Sequence, residues 1–145
     1  MEVILDSERK HWVSVAAAVV DGDRVLAIRR RDNDKWEPPG GTLEPGETIH
    51  EGLVREVQEE AGLSVRNPVL TGVYKNMTRN IVALVFRCEY SGAPASSTDE
   101  AAEIAWLTTD DIADRMDEAY ALRLLDALHE GPPSIRAHDG VSVVS

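Results

Sequence analysis

Residues Trp12 to Val20 are rich in Val and Ala, and the turn Asp21-Gly22-Asp23 leads into the stretch Arg24-Val25-Leu26-Ala27-Ile28-Arg29. Together they predict a β-hairpin. From Arg30 to Glu47 the chain carries Pro38-Pro39, Gly40-Gly41 and Pro45-Gly46, too broken for a helix interior, and a structured loop is expected. Thr48-Ile49-His50-Glu51 then has capping-box spacing, in which the threonine oxygen and the glutamate each satisfy an orphan amide of a first helical turn. A helix is predicted over Ile49 to Ala61, with Leu53, Val54, Val57 and Ala61 on one stripe and Gly62 placed for a left-handed cap.

Strand patterning returns at Val65 to Tyr74 and Ile81 to Tyr90, separated by the polar stretch Lys75 to Asn80, and again at Ile104 to Leu107. Thr109 is placed to cap a short helix over Asp110 to Met116, and Asp117 to His129 repeats Ala119, Leu122, Leu125 and Leu128 at helical spacing. Gly131-Pro132-Pro133 breaks that helix. Beyond it the tail is weakly patterned, with Val141, Val143 and Val144 as an edge-strand candidate, and is expected to be partly mobile. The order strands, loop, helix, strands, helix predicts a mixed sheet with helices packed on its faces.

At 145 residues, 43% hydrophobic and 28% charged, the chain has the length and composition of one globular domain. Its 26 acidic against 15 basic residues leave a net charge of −11, which opposes binding to nucleic acid polymers or anionic membranes. A phosphate-bearing partner would need a cation to intervene. The single cysteine, Cys88, has no internal disulfide partner, and MEVILDSERKHWVS lacks the basic and apolar run of a signal peptide. A reducing cytoplasmic compartment and no membrane span are expected.

The predicted helix carries Glu56, Glu59 and Glu60 at i, i+3 and i+4, within an arc of roughly 100° on one face. Like charges at this spacing destabilise a bare helix, so the face is either solvated or a site for hard divalent cations, which prefer oxygen ligands. The surrounding spacing resembles the Nudix box. Five residues separate Gly41 from Glu47, seven more lead to Arg55, and Arg55-Glu56-Val57-Gln58-Glu59-Glu60-Ala61-Gly62-Leu63 follows, so all nine defined positions of the box are filled. Trp36-Glu37-Pro38-Pro39-Gly40 is similar to the family's approach to the box, with Pro38 where an apolar residue is more common.

The resemblance, to MutT-like Nudix hydrolases, implies a domain over residues 11–131, an N-terminal extension 1–10 and a tail 132–145. It implies an α/β/α sandwich, a mixed β-sheet with helices on both faces. It also implies Mg²⁺-dependent hydrolysis, with Mn²⁺ as an alternative, of a nucleoside diphosphate linked to another group X. Carried over by position, Glu56 and Glu60 resemble the main metal ligands, Glu59 a further ligand or the residue that activates water, and the Gly40 carbonyl a backbone ligand. Arg55 resembles the residue that orients these carboxylates, with Glu47 its structural partner. Family members also use an acid from a loop before a strand tryptophan. Glu100 and Glu103 both precede Trp106, and Glu100 is favoured because Glu103 abuts the strand.

Arg29, Arg30, Lys75 and Arg79 are candidates for a terminal phosphate or leaving group, and Trp36 for base stacking, although a solvated strand end or packing on the sheet accounts for each. Specificity for X is expected to reside in Asp32 to Glu37, Lys75 to Asn80 and Ser91 to Glu103. Two other functions are weighed. One is a catalytically silent nucleotide-binding module, against which the intact glutamates argue. The other is isomerisation of an isoprenoid diphosphate, which wants a positioned cysteine, whereas Cys88 sits in an apolar strand. The expected partner is a small nucleotide, and a homodimer is common in the family.

Overall fold

A computed structural model describes residues 7–145. The expected extension 1–10 therefore lies mostly outside the described residues, of which Ser7–Arg9 forms a short 3₁₀ turn. The hairpin is present as β1 (Trp12–Asp21) and β2 (Arg24–Arg30), joined through Gly22 at φ +61°. The two strands pair only at Val20↔Val25 and Asp21↔Arg24. Beyond the turn they separate: β1 runs parallel to β6 (Ile81–Ser91), and β2 pairs with β7 (Ala101–Thr108). The proline- and glycine-rich segment, expected as loop, bridges this opening with two short strands. β3 (Trp36–Glu37) pairs with β2, and β4 (Gly40–Thr42) pairs with β1.

The helix α1 (Ile49–Ala61) has the predicted bounds, the full Thr48/Glu51 capping box and Gly62 at φ +67°, whose amide donates to the Gln58 carbonyl. β5 (Ser64–Asn76) pairs antiparallel with β6. α2 (Thr109–Arg115) is capped by Thr108, one residue earlier than expected, and α3 (Glu118–Asp126) follows. The edge strand of the tail is corrected from Val141–Val144 to β8 (Ser134–His138), which lies parallel to β5 and extends the sheet past residue 131. Of the three valines only Val143 bridges, to His138. The β5 edge has backbone groups left to pair, and the stretch directly after Pro133 is the one that reaches them.

Alternation along β1 explains the layers. Val15, Ala17 and Val19 pack against Leu53, Val57 and Ala61 of α1, while Ala16 and Ala18 face Ile112, Ala121 and Leu124 of α2 and α3. A sheet covered on both faces buries the middle of its central strand on both sides, here Val15 to Val19, hence the unbroken apolar run. The fold is thus a mixed β-sheet with helices on both faces. Among the described residues no helix is long and apolar enough to cross a membrane.

Candidate active site

The carboxylates of Glu56, Glu60 and Glu100 converge, each offering an oxygen within 4.8 Å of the others. The first two come from one face of α1 and the third from the loop before β7. Glu60 is buried and receives only the Gly40 amide, 3.4 Å away. Burial, aided by the charges of Glu37, Glu100 and Glu56, pushes its carboxyl up to about 8. Burial also raises Glu56, against the pull of Arg55.

Arg55 organises the other side. It grips Glu47 with two N–H groups at 2.9 and 2.6 Å, reaches Glu56 at 2.9 Å and Glu59 at 3.3 Å, and donates to the Thr42 carbonyl. That grip holds Glu47 down at about 2, while Glu47 also accepts the Glu44 amide. The helix, the preceding loop and β4 are therefore tied together by one planar guanidinium, whose fork geometry a lysine could not reproduce. Glu59 stands apart from the convergent three, with its side chain 52% exposed.

Space explains the adjacent glycines. A Cβ on Gly41 would lie 2.5 Å from Cδ of Glu56, and one on Gly40 would strike the Val15 carbonyl and sit 2.6 Å from Cα of Ala16. Gly41 lets the helix carboxylate close onto β4, and Gly40 lets β4 close onto β1.

Of the two candidate loop acids, Glu100 joins the cluster. Glu103 faces Arg29 across the β2–β7 ladder and pairs with it at 3.4 Å; Arg29 also pairs with Asp34, so neither enters the site. The Glu100 loop is anchored by Thr98, a residue the sequence did not single out. Its hydroxyl donates to the Glu60 carbonyl at 3.0 Å and accepts the Ala101 amide at 3.1 Å. Arg31 donates to the Thr98 carbonyl, and its amide to that of Glu100.

Arg30 lines the cleft shared with Glu60 and Glu100, and pairs with Asp32 and Glu37. It also lines a cavity of about 250 Å³ between β4 and α3, together with Arg79, Asn76, Tyr120 and Arg123. Of these only Arg30 and Arg79 were legible as candidates. Trp36 packs against the core beneath the Arg115 guanidinium and borders a second cavity, of about 550 Å³, with Arg79. Lys75, between β6 and β8, lines neither cavity. Cys88 is buried, its thiol donates to the Phe86 carbonyl, and burial pushes its pKa up to about 12, so it supplies no nucleophile.

A family model described as NUDIX domain matches residues 10–128. A MutT-like protein of Streptomyces ambofaciens is 54% identical over 135 residues, covering 92% of this chain and 88% of its own. An ADP-ribose pyrophosphatase of Methanocaldococcus jannaschii is 33% identical over 98 residues, 63% of this chain and 58% of its own. Among solved structures, the mutator MutT protein of Bacillus halodurans superposes with a TM-score of 0.75 at 23% identity, covering 92% of this chain and 95% of that one.

Proposed function

The chain belongs to the Nudix family of pyrophosphohydrolases, and from that premise we propose that it cleaves a pyrophosphate bond in a nucleoside diphosphate linked to a group X, with Mg²⁺ or Mn²⁺ as cofactor. The observation that carries the reading is the convergence of Glu56, Glu60 and Glu100. Three carboxylates brought this close, two of them buried and Glu60 with no cation beside it, form a donor set suited to a hard divalent ion. These residues, with the Gly40 carbonyl, would hold the cations, and bound cations would supply charge neutralisation for the diphosphate and a more acidic water.

Arg55 keeps the helix acids oriented by its fixed link to Glu47. Glu59, exposed and bound by a single N–H, is the acid free to accept the proton of the attacking water. Glu56 and Glu60 are buried, and a charge brought to them there is felt more strongly than in open water. The ADP-ribose pyrophosphatase among the relatives supports a small nucleotide as substrate, such as a nucleotide sugar, ADP-ribose or a nucleoside triphosphate. The cytoplasmic location and the homodimer belong to the same proposal, supported by the lone buried cysteine and by the family resemblance.

The test is a panel of ADP-ribose, nucleotide sugars, dinucleoside polyphosphates and ordinary and oxidised nucleoside triphosphates, run in Mg²⁺ and in EDTA. We expect Mg²⁺-dependent product from at least one, and losses of at least about 10²-fold in Glu60→Gln and Glu59→Gln. Ligand-induced thermal stabilisation without product would instead identify a silent binding module.

A further inference from the structure

Arg123, on α3, is 8% exposed and forms no ion pair among the described residues; its Nε has no hydrogen-bond partner at all. The guanidinium lies 4.7 Å from the ring of Tyr120 and 5.6 Å from that of Tyr74, which hold it in place. Its one hydrogen-bonding neighbour among the described residues is His138, with Nη2 3.3 Å from Nε2, while the Glu37 carboxylate acts on it only through space. That imidazole already accepts the Gly140 amide at Nδ1, 3.0 Å away, and burial and Arg123 itself keep the ring neutral. A neutral imidazole accepts at one nitrogen only, so its proton stands on Nε2 and faces the guanidinium as donor against donor. Arg123 is a buried full charge with no acceptor of its own, which proteins tolerate where a ligand supplies the counter-charge.

Its surroundings point to the ligand. Arg123 lines the 250 Å³ cavity with Arg30, Arg79, Asn76 and Glu37. Arg30 is held by two carboxylates, Glu37 at 3.0 Å and Asp32 at 2.5 Å. Arg79 makes no side-chain hydrogen bond or ion pair among the described residues, and Asn76, 5% exposed, uses its carbonyl on the amides of Thr78 and Arg79 and so keeps its NH₂ free. What remains is two guanidiniums that no carboxylate hydrogen-bonds and an amide donor, with Glu37, the one acid of the lining, bonded to Arg30. A base edge would bring only partial charges; a phosphate brings net negative charge and nothing but acceptors. The cavity floor is Gly40 and Gly41, whose other contacts are Glu60 and Glu56, and Arg30 lines both this cavity and the cleft holding Glu60 and Glu100.

We propose that Arg123, Arg79 and the Asn76 amide bind a phosphate of the substrate other than the diphosphate being cleaved, so that the preferred substrates carry a further phosphate monoester. This rests on cleavage occurring at the Glu56, Glu60 and Glu100 cluster. Two measurements separate the claims. In EDTA and at constant ionic strength with chloride as control, inorganic phosphate raises the melting temperature of the wild-type protein. Binding weakens at least tenfold in Arg79→Gln, an exposed position that does not threaten folding, is lost in Arg123→Gln and is partly kept in Arg123→Lys. With Mg²⁺, kcat/KM favours NADP⁺ over NAD⁺, and ADP-ribose 2′-phosphate over ADP-ribose, at least tenfold through KM, and Arg79→Gln brings the ratio toward one. Absence of phosphate binding, binding indifferent to all three variants, or equal kcat/KM within both pairs overturns the proposal. Phosphate binding that responds to the variants, together with no turnover of any nucleotide, supports this site and refutes the hydrolase reading instead.

Discussion

Gly40 and Gly41 are adjacent, lie in the same short strand and have ordinary backbone angles, yet alanine at the two positions should fail in different ways. A Cβ on Gly40 meets backbone, the Val15 carbonyl and Cα of Ala16 at 2.6 Å, in a central strand held between α1 and the α2–α3 layer. Neither side can retreat, so β4 must leave β1 and give up the pairings Ser14↔Thr42, Val15↔Gly41 and Ala16↔Gly40. Overpacking of this kind costs about 3 kcal/mol, or roughly 10 °C in Tm for a domain of this size. A Cβ on Gly41 instead meets the end of a side chain, Cδ of Glu56 at 2.5 Å, and that carboxylate must withdraw about 0.9 Å to reach ordinary contact at 3.4 Å. The rotamer strain is only about 1 kcal/mol, a Tm change of roughly 3 °C. Misplacing a metal-binding carboxylate by that distance should lower kcat/KM by about 10²-fold. Thermal melts and Mg²⁺-dependent turnover of both variants provide the assay. The reasoning is refuted if Gly41→Ala keeps turnover within threefold of wild type, or if it melts as low as Gly40→Ala.

Three further outcomes are expected. Folded Glu60 keeps its proton up to about 8 while the unfolded chain releases it near 4.5, so between those values the folded state binds more protons and metal-free stability falls as pH rises; melts in EDTA from pH 5 to 8 should show that slope, by a few kcal/mol at most, and Glu60→Gln should flatten it. Thr98→Ala removes the hydroxyl joining the Glu100 loop to the Glu60 carbonyl and should lower kcat/KM about tenfold for about 1 kcal/mol of stability, and a change below twofold would show that the loop is held otherwise. With its thiol pushed up to about 12, Cys88 should resist iodoacetamide at pH 8 in the native protein, and Cys88→Ala should retain turnover; inactivation by alkylation would restore thiol chemistry to consideration.

The helix and its caps were legible because their causes are local: Thr48 and Glu51 cap each other within one turn, and Gly62 ends the helix by its own backbone angle. The strand character of Gly40–Thr42 was not. Glycine has no strand preference, and its pairing here is imposed by the opening between β1 and β2. β8 likewise exists because β5 offers an edge, a property of the assembled sheet. Glu100 was favoured over Glu103 because Glu103 abuts the strand; the structure adds a cause the sequence does not carry, the ladder register that sets Glu103 opposite Arg29. Arg123 could not be read at all, since it lies within a helix whose leucine and alanine spacing signals only burial.

These elements leave a carboxyl and a guanidinium buried on either side of β4 without a partner of opposite charge bonded to them. Glu60 is the one acid of the α1 face that Arg55 does not reach, and Arg123 is the one cavity arginine that is buried without an acceptor. They do not pair with each other: Glu60 receives only the Gly40 amide, and no carboxylate bonds to Arg123 among the described residues. Each costs folding free energy in the empty protein, Glu60 through the proton that burial makes it keep and Arg123 through its unbonded charge. A substrate that brings cations with its diphosphate to the glutamates, and a further phosphate to Arg123, relieves both at once, so its binding should be stronger than the sum of the two halves bound alone.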